Sequence, residues 1–208
     1  MSIKENLNLI QQQINQTAID SGRSPQEIKL IAVSKTKPLE QIKDAFSAGH
    51  ITFGENYVQE ALEKIRNIGI YKEIEWHFLG RLQKNKVKFC PGNFQWIHTV
   101  DSIELSKKIE FHCELNNKIM NVLIQVNLFK EDSKSGLHKF EDVLRVAEVI
   151  SLCKFLKFRG LMTIPKPKLG EIKTRKIFEN IRNWRDKLKE EFDTSEINEL
   201  SMGMTADH

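Results

Sequence analysis

Leu30-Ile31-Ala32-Val33-Ser34-Lys35-Thr36-Lys37-Pro38 is an apolar run that ends on a lysine just before a helix begins. From Ile28 to Val33 the segment is short, continuous and β-branched, which suits a strand covered on both faces. Proline is favoured at a first helical position and pushes the preceding residue towards an extended backbone. Thr36 and Lys37 are therefore predicted to form a very short strand-to-helix loop. Lys35 then stands at the C-terminal end of the strand, where parallel α/β folds bind their ligands. A partly desolvated lysine there can lose its proton and attack a carbonyl to form a Schiff base. Taken alone, the motif also fits a solvated strand-end lysine.

Outward from this stretch the same alternation recurs. Upstream, Ile3, Leu7, Ile10, Ile14 and Ala18 repeat at helical spacing, and Ser24-Pro25-Gln26-Glu27 is a capping-box pattern. Downstream, a helix from Leu39 to about Ala48 presents Leu39, Ile42, Ala45 and Phe46 on one face, with Gly49 at its C-terminus. A second strand reads Ile51 to Asn56; Asn56 is expected to cap the helix carrying Val58, Ala61, Leu62 and Ile65. Further strands are predicted at 75–80, 96–100, 122–126, 158–164 and 198–204. The helices between them include one opened by Asp101 or Ser102, one with Phe140, Val143, Leu144 and Ala147, and one with Ile177, Ile181, Trp184 and Leu188. Seven strand–helix units without a Gly-x-Gly-x-x-Gly fingerprint favour a parallel (β/α) barrel with an extra N-terminal helix over a doubly wound sheet. No internal repeat or linker interrupts the chain, so residues 1–208 are expected to form a single domain.

Composition narrows the function classes. The 208 residues are 40% hydrophobic and 29% charged, enough for one full core. The net charge of +4 is spread as interspersed lysine and glutamate, which argues against a nucleic-acid stripe; Lys84-Asn85-Lys86-Val87-Lys88 is the most basic stretch and reads as a solvated helix face. Cys90, Cys113 and Cys153 are far apart and lack metal-ligand spacing, so neither a disulfide framework nor a zinc site is expected. With no signal-peptide pattern or membrane-length apolar span, the protein is expected to be soluble and cytoplasmic.

In a barrel, the C-terminal rim gathers Lys35, Asn56, His77 with Gly80, Asn127, Met162 with Thr163, and Ser201 with Gly203 around one mouth. The turn Ser201-Met202-Gly203-Met204-Thr205 offers hydroxyls and backbone N–H groups that suit a phosphate oxygen, or a buried strand end with a tight turn. His77, between Trp76 and Phe78, reads as a proton shuttle or, more simply, as a packed structural histidine.

Six co-linear blocks then carry a family resemblance: Ile31 to Pro38, Phe53-Gly54-Glu55-Asn56-Tyr57-Val58-Gln59-Glu60, Trp76-His77-Phe78-Leu79-Gly80 with Gln83-Lys84-Asn85-Lys86, Ser133-Lys134-Ser135-Gly136, Arg159-Gly160-Leu161-Met162, and Leu200 to Thr205. Together they resemble the pyridoxal phosphate homeostasis protein family, whose members are (β/α)8 barrels related to the N-terminal domain of alanine racemase. The resemblance implies pyridoxal 5′-phosphate as cofactor, held by Lys35 as a Schiff base. It further implies that Asn56 lines the cofactor site and that Ser201, Gly203 and Thr205 form part of the phosphate site. Lys37, His77, Lys134 and Met162 are candidates for a supporting layer around them. Family members continue through a further helix and an eighth strand, so this chain is expected to be a C-terminally short barrel.

The implied function is intracellular homeostasis of the cofactor, with transfer to pyridoxal-phosphate-dependent apoenzymes, by a monomer that binds neither nucleic acid nor membrane. A racemase needs a second proton-transfer group, normally a tyrosine from an additional domain, and Tyr57 and Tyr71 are the only tyrosines here. A carrier is therefore expected in preference to an enzyme. An amino-acid racemase, or an interaction domain that has lost the cofactor, are the alternatives.

Overall fold

The computed structural model describes residues 1–69, 71, 73–128, 135–166 and 169–204. The chain divides into two compact units, Met1–His77 and Phe78–His208. In the first, helix α1 (Ile3–Asp20) is capped reciprocally: Glu5 N–H donates to Ser2 Oγ at 3.2 Å, and Ser2 N–H donates to the Glu5 carboxylate at 2.7 Å. A 3-10 turn (Pro25–Glu27) leads to β1 (Ala32–Val33), α2 (Leu39–Ser47), β2 (Thr52–Glu55), α3 (Val58–Asn67) and β3 (Glu75–Phe78). The strands β1 and β2 are parallel, with Ala32 opposite Phe53 and Val33 opposite Gly54. Glu75 N–H donates to Ile51 O at 2.8 Å, tying the start of β3 to the start of β2. Ile42 and Ala45 of α2, Phe53 of β2 and Ala61 of α3 are buried, as the apolar spacing predicts.

Two expectations for this unit are corrected. The strand at 28–33 shrinks to Ala32–Val33, and Val33 is 46% exposed, not covered on both faces. Strand β1 pairs with β2 on one side only among the described residues, so its other edge has no strand partner there. Asn56 does not cap α3. Tyr57 occupies the cap position with an extended backbone, and no side-chain capping bond forms.

The second unit contains a 3-10 turn (Lys84–Phe89), β4 (Trp96–Val100), α4 (Ile103–Leu115), β5 (Met120–Gln125), α5 (Phe140–Ser151), β6 (Leu156–Met162), α6 (Glu171–Glu191) and β7 (Glu199–Ser201). Its four strands are parallel and follow chain order. The cap of α4 is Ser102, whose Oγ accepts from Leu105 N–H at 3.2 Å. Val122, Leu123 and Ile124 of β5 are all buried, the both-faces burial that a central parallel strand requires. Gly160 lets β6 and β7 meet: its φ is +148°, and a Cβ there would lie 2.0 Å from Glu199 O. Lys84, Asn85 and Lys88 are exposed, in keeping with a solvated face. Among the described residues no helix is long and apolar enough to cross a membrane.

Candidate functional site

In the first unit the sequence after β1 closes a four-residue turn, Lys37 N–H donating to Ser34 O at 3.0 Å. Lys35 occupies its second position and Thr36 its third. The φ of Thr36 is +62°, a left-handed conformation that β-branched residues avoid and that such turns usually assign to glycine or asparagine. Lys35 is exposed, so the desolvation expected of it is not observed, and its amine makes no hydrogen bond or ion pair among the described residues.

The carboxylates beside this turn are occupied elsewhere. Lys64, on the inward face of α3, is buried and donates to Glu55 Oε1 at 2.7 Å, to Glu60 Oε1 at 2.6 Å and to the Ser34 carbonyl at 2.6 Å. An ammonium has three N–H donors, and here each has an acceptor. The Ser34 hydroxyl donates to the same Glu55 oxygen at 2.6 Å, and Thr36 N–H donates to Glu60 Oε1 at 2.5 Å. Burial pushes the Glu60 carboxyl up, but the bonds from Lys64 and Thr36 N–H together outweigh it and hold the group below its ordinary value. Glu55 is fully buried, and its Oε2 has no partner among the described residues.

Of the predicted residues in this unit, Lys35, Lys37 and Asn56 lie at the C-terminal ends of the neighbouring strands β1 and β2. Asn56 is half-buried and Lys37 exposed. His77 differs. It is buried within β3, its Nε2 3.4 Å from a carboxylate oxygen of Glu75 on the same strand, and Glu75 also pairs with Lys29 at 3.0 Å.

In the second unit Met162 and Ser201 are register partners at the C-terminal ends of β6 and β7. Ser201 Oγ lies 2.8 Å from His98 Nδ1 on β4. Neighbouring strands stand about 4.8 Å apart, and β5 and β6 intervene, so this bond requires the sheet of the second unit to curl and bring inner-face side chains together. Met162 is buried, and Thr163 donates through Oγ1 to Val126 O at 3.0 Å and through its N–H to Ser201 O at 3.0 Å. Gly203 has a φ of +91° with open space where a Cβ would stand, so the residue serves conformation, not close packing. Thr205 and Lys134 lie outside the described residues.

Sequence reasoning missed Glu55, Glu60, Lys64 and His98. The available signals were a glutamate ending an otherwise apolar buried strand, a lysine three residues after Ala61 on the apolar face of α3, and a histidine inside Trp96–Val100. A buried polar group in such a place needs a partner, which makes it informative.

Comparison with known proteins adds an independent line. The model of the alanine racemase N-terminal domain matches residues 2–208. The pyridoxal phosphate homeostasis protein of Haemophilus influenzae is 40% identical over 210 residues, covering 100% of this chain and 87% of that protein. Its Escherichia coli K12 counterpart is 37% identical, covering 99% and 87%. Among solved structures, PipY of Synechococcus elongatus PCC7942 with PLP bound matches at a TM-score of 0.83 and 31% identity, over 93% of this chain and 90% of that one. The alanine racemase of Bacillus anthracis matches at a TM-score of 0.73 and 16% identity, over 98% of this chain and 50% of that one, a likeness of fold alone. The alternation of strands and helices thus belongs to the parallel β/α-barrel class predicted from it.

Proposed function

Because this chain belongs to the pyridoxal phosphate homeostasis protein family, we propose that it holds pyridoxal 5′-phosphate covalently on Lys35 and keeps it available inside the cell for release. The observation that carries this reading is the amine itself: exposed, unpaired among the described residues and set at a strand's C-terminal end, while the adjacent carboxylates are committed to Lys64 and the backbone. Within the first unit, a primary amine and the Asn56 carboxamide suit an aldehyde; within the second, the Ser201 hydroxyl and backbone at Gly203 that no side chain obstructs suit a phosphate.

The Lys35 nitrogen bonds to the aldehyde carbon, and the aldehyde oxygen leaves as water; water or a second amine reverses the bond. When bound, the cofactor supplies an electron sink. Any chemistry beyond attachment and release depends on the protein's own proton-moving groups. Asn56 is assigned to the cofactor's immediate surroundings and Ser201, Gly203 and Thr205 to its phosphate. Lys37, Lys134 and Met162 are assigned to supporting positions, and His77 to the packed interior of β3. The reading is of a carrier and not an enzyme, a single-domain cytoplasmic monomer that passes its cofactor to apoenzymes.

Borohydride trapping with pyridoxal phosphate, followed by peptide mass mapping with Lys35→Ala as control, tests the attachment. Label confined to Lys35 is the expected result. A folded protein with no label there overturns the reading. Incubating the loaded protein with one enantiomer of alanine separates carrier from racemase, since a carrier leaves the optical rotation unchanged.

A further inference from the structure

We infer that Glu55, Glu60 and Lys64 are positioning residues for Lys35, clamping the two peptide groups that flank it. The inference rests on the reading that Lys35 carries the cofactor. On the N-terminal flank, the Ser34 carbonyl accepts from Lys64 Nζ at 2.6 Å as well as from Lys37 N–H at 3.0 Å, and the Ser34 hydroxyl donates to Glu55 at 2.6 Å. On the C-terminal flank, Thr36 N–H donates to Glu60 at 2.5 Å. Lys64 joins the flanks by donating to both carboxylates, at 2.7 and 2.6 Å.

Three features argue that this arrangement does more than stabilise. Thr36 is held at a φ of +62°, and such strain persists only where the surroundings over-determine it; the Glu60 carboxylate, charged and at short range, is the group that does so. A buried ion pair is poor evidence for stability by itself, because desolvating two charges consumes most of their attraction. The geometry also sorts the amines. All three Lys64 hydrogens are committed to acceptors, whereas Lys35 has none among the described residues. The clamp thereby withholds one lysine and presents another.

Two variants test the clamp, one at the C-terminal flank and one at the lysine that joins both flanks. Glu60→Ala releases Thr36, and the Glu60 side chain is 26% exposed, so the change leaves no core cavity. Glu55→Gln combined with Lys64→Met removes both buried charges together and takes the Lys64 donor away from the Ser34 carbonyl and from Glu60. Glu60→Gln keeps an acceptor oxygen for Thr36 N–H and serves as the conservative rescue. Each protein is followed by the rate of attachment of pyridoxal phosphate, by the ratio of borohydride label on Lys35 and Lys37, by circular dichroism, and by Thr36 amide exchange without cofactor.

Glu60→Ala is expected to slow attachment about tenfold, to spread label onto Lys37 and to speed Thr36 exchange, with its melting curve little changed. Glu60→Gln is expected to recover most of the rate. A folded Glu60→Ala protein that attaches cofactor at the wild-type rate, on Lys35 alone, overturns the clamp. Absence of Lys35 label from the wild type overturns the parent reading instead, and the Thr36 exchange comparison still reports on the clamp.

Discussion

At the scale of single residues, Thr36 concentrates the local cost of this site. Its β-branched side chain sits at a φ of +62°, where Cβ crowds the backbone. Thr36→Asn, which tolerates that region, is expected to stabilise the protein by about 0.5–1 kcal/mol, read as a higher urea midpoint with unchanged slope; a loss of stability would show that the threonine side chain is itself required. Glu60 makes a pH prediction whose sign is set by its lowered pKa. The carboxylate's contribution is fully present above its ordinary value of 4.5 and disappears as pH falls through the lower folded value. The Thr36 amide resonance is therefore expected to titrate with a midpoint below 4.5, and a midpoint at or above that value would count against the Thr36–Glu60 bond. The place of Lys35 just past the end of β1 was legible in the sequence because one apolar run ends on it. Its exposure was not, since that depends on how many strands cover β1, and the buried Lys64 was hidden by the expectation that lysines on helices face water.

Among the elements, legibility tracked how local the deciding physics is. Strand β4 was predicted at its observed limits, 96–100, and α1 and α6 follow their apolar spacing. The start of α3 was missed because the expected Asn56 cap is a local preference that lost to the extended backbone at Tyr57. Strand β1 was predicted four residues too long, because apolar composition does not report which of its neighbours pair. The close approach of β6 and β7 at Gly160 makes the sharpest prediction at this scale. Gly160→Ala would place a methyl carbon 2.0 Å from the Glu199 carbonyl oxygen, on a backbone already at φ +148°. The carbonyl cannot swing away without disturbing the parallel ladder that pairs Gly160 with Glu199 and Met162 with Ser201. A cost of about 3 kcal/mol or more is expected, with amide exchange accelerated first in β7. A neutral substitution would mean that β7 is free to move off β6.

For the whole molecule, the question is whether two compact units make one cooperative fold. The first unit, Met1–His77, holds two short strands and all but the last residue of β3, and one of them has only two residues, with Val33 open to solvent. A parallel sheet that small cannot cover both its faces, and parallel β/α architectures draw their stability from closure over many units. The chain is therefore expected to unfold in one step, and its side chains supply a probe for each unit. Trp76 is a buried tryptophan of the first unit, followed by fluorescence in a variant in which Trp96 and Trp184 are replaced by phenylalanine. Cys90 and Cys113 are buried thiols of the second, both pushed up to about 12, chiefly by burial. At pH 8 a thiol in that state presents almost no thiolate to a disulfide reagent, so its reaction reports loss of the surrounding core. Urea unfolding followed by Trp76 fluorescence and by labelling of the two cysteines is expected to give coincident midpoints, the mark of a two-state transition. Clearly separated midpoints would instead make the Lys35 turn part of an independently stable domain, and the clamp around it would then have to be tested as that domain's own property.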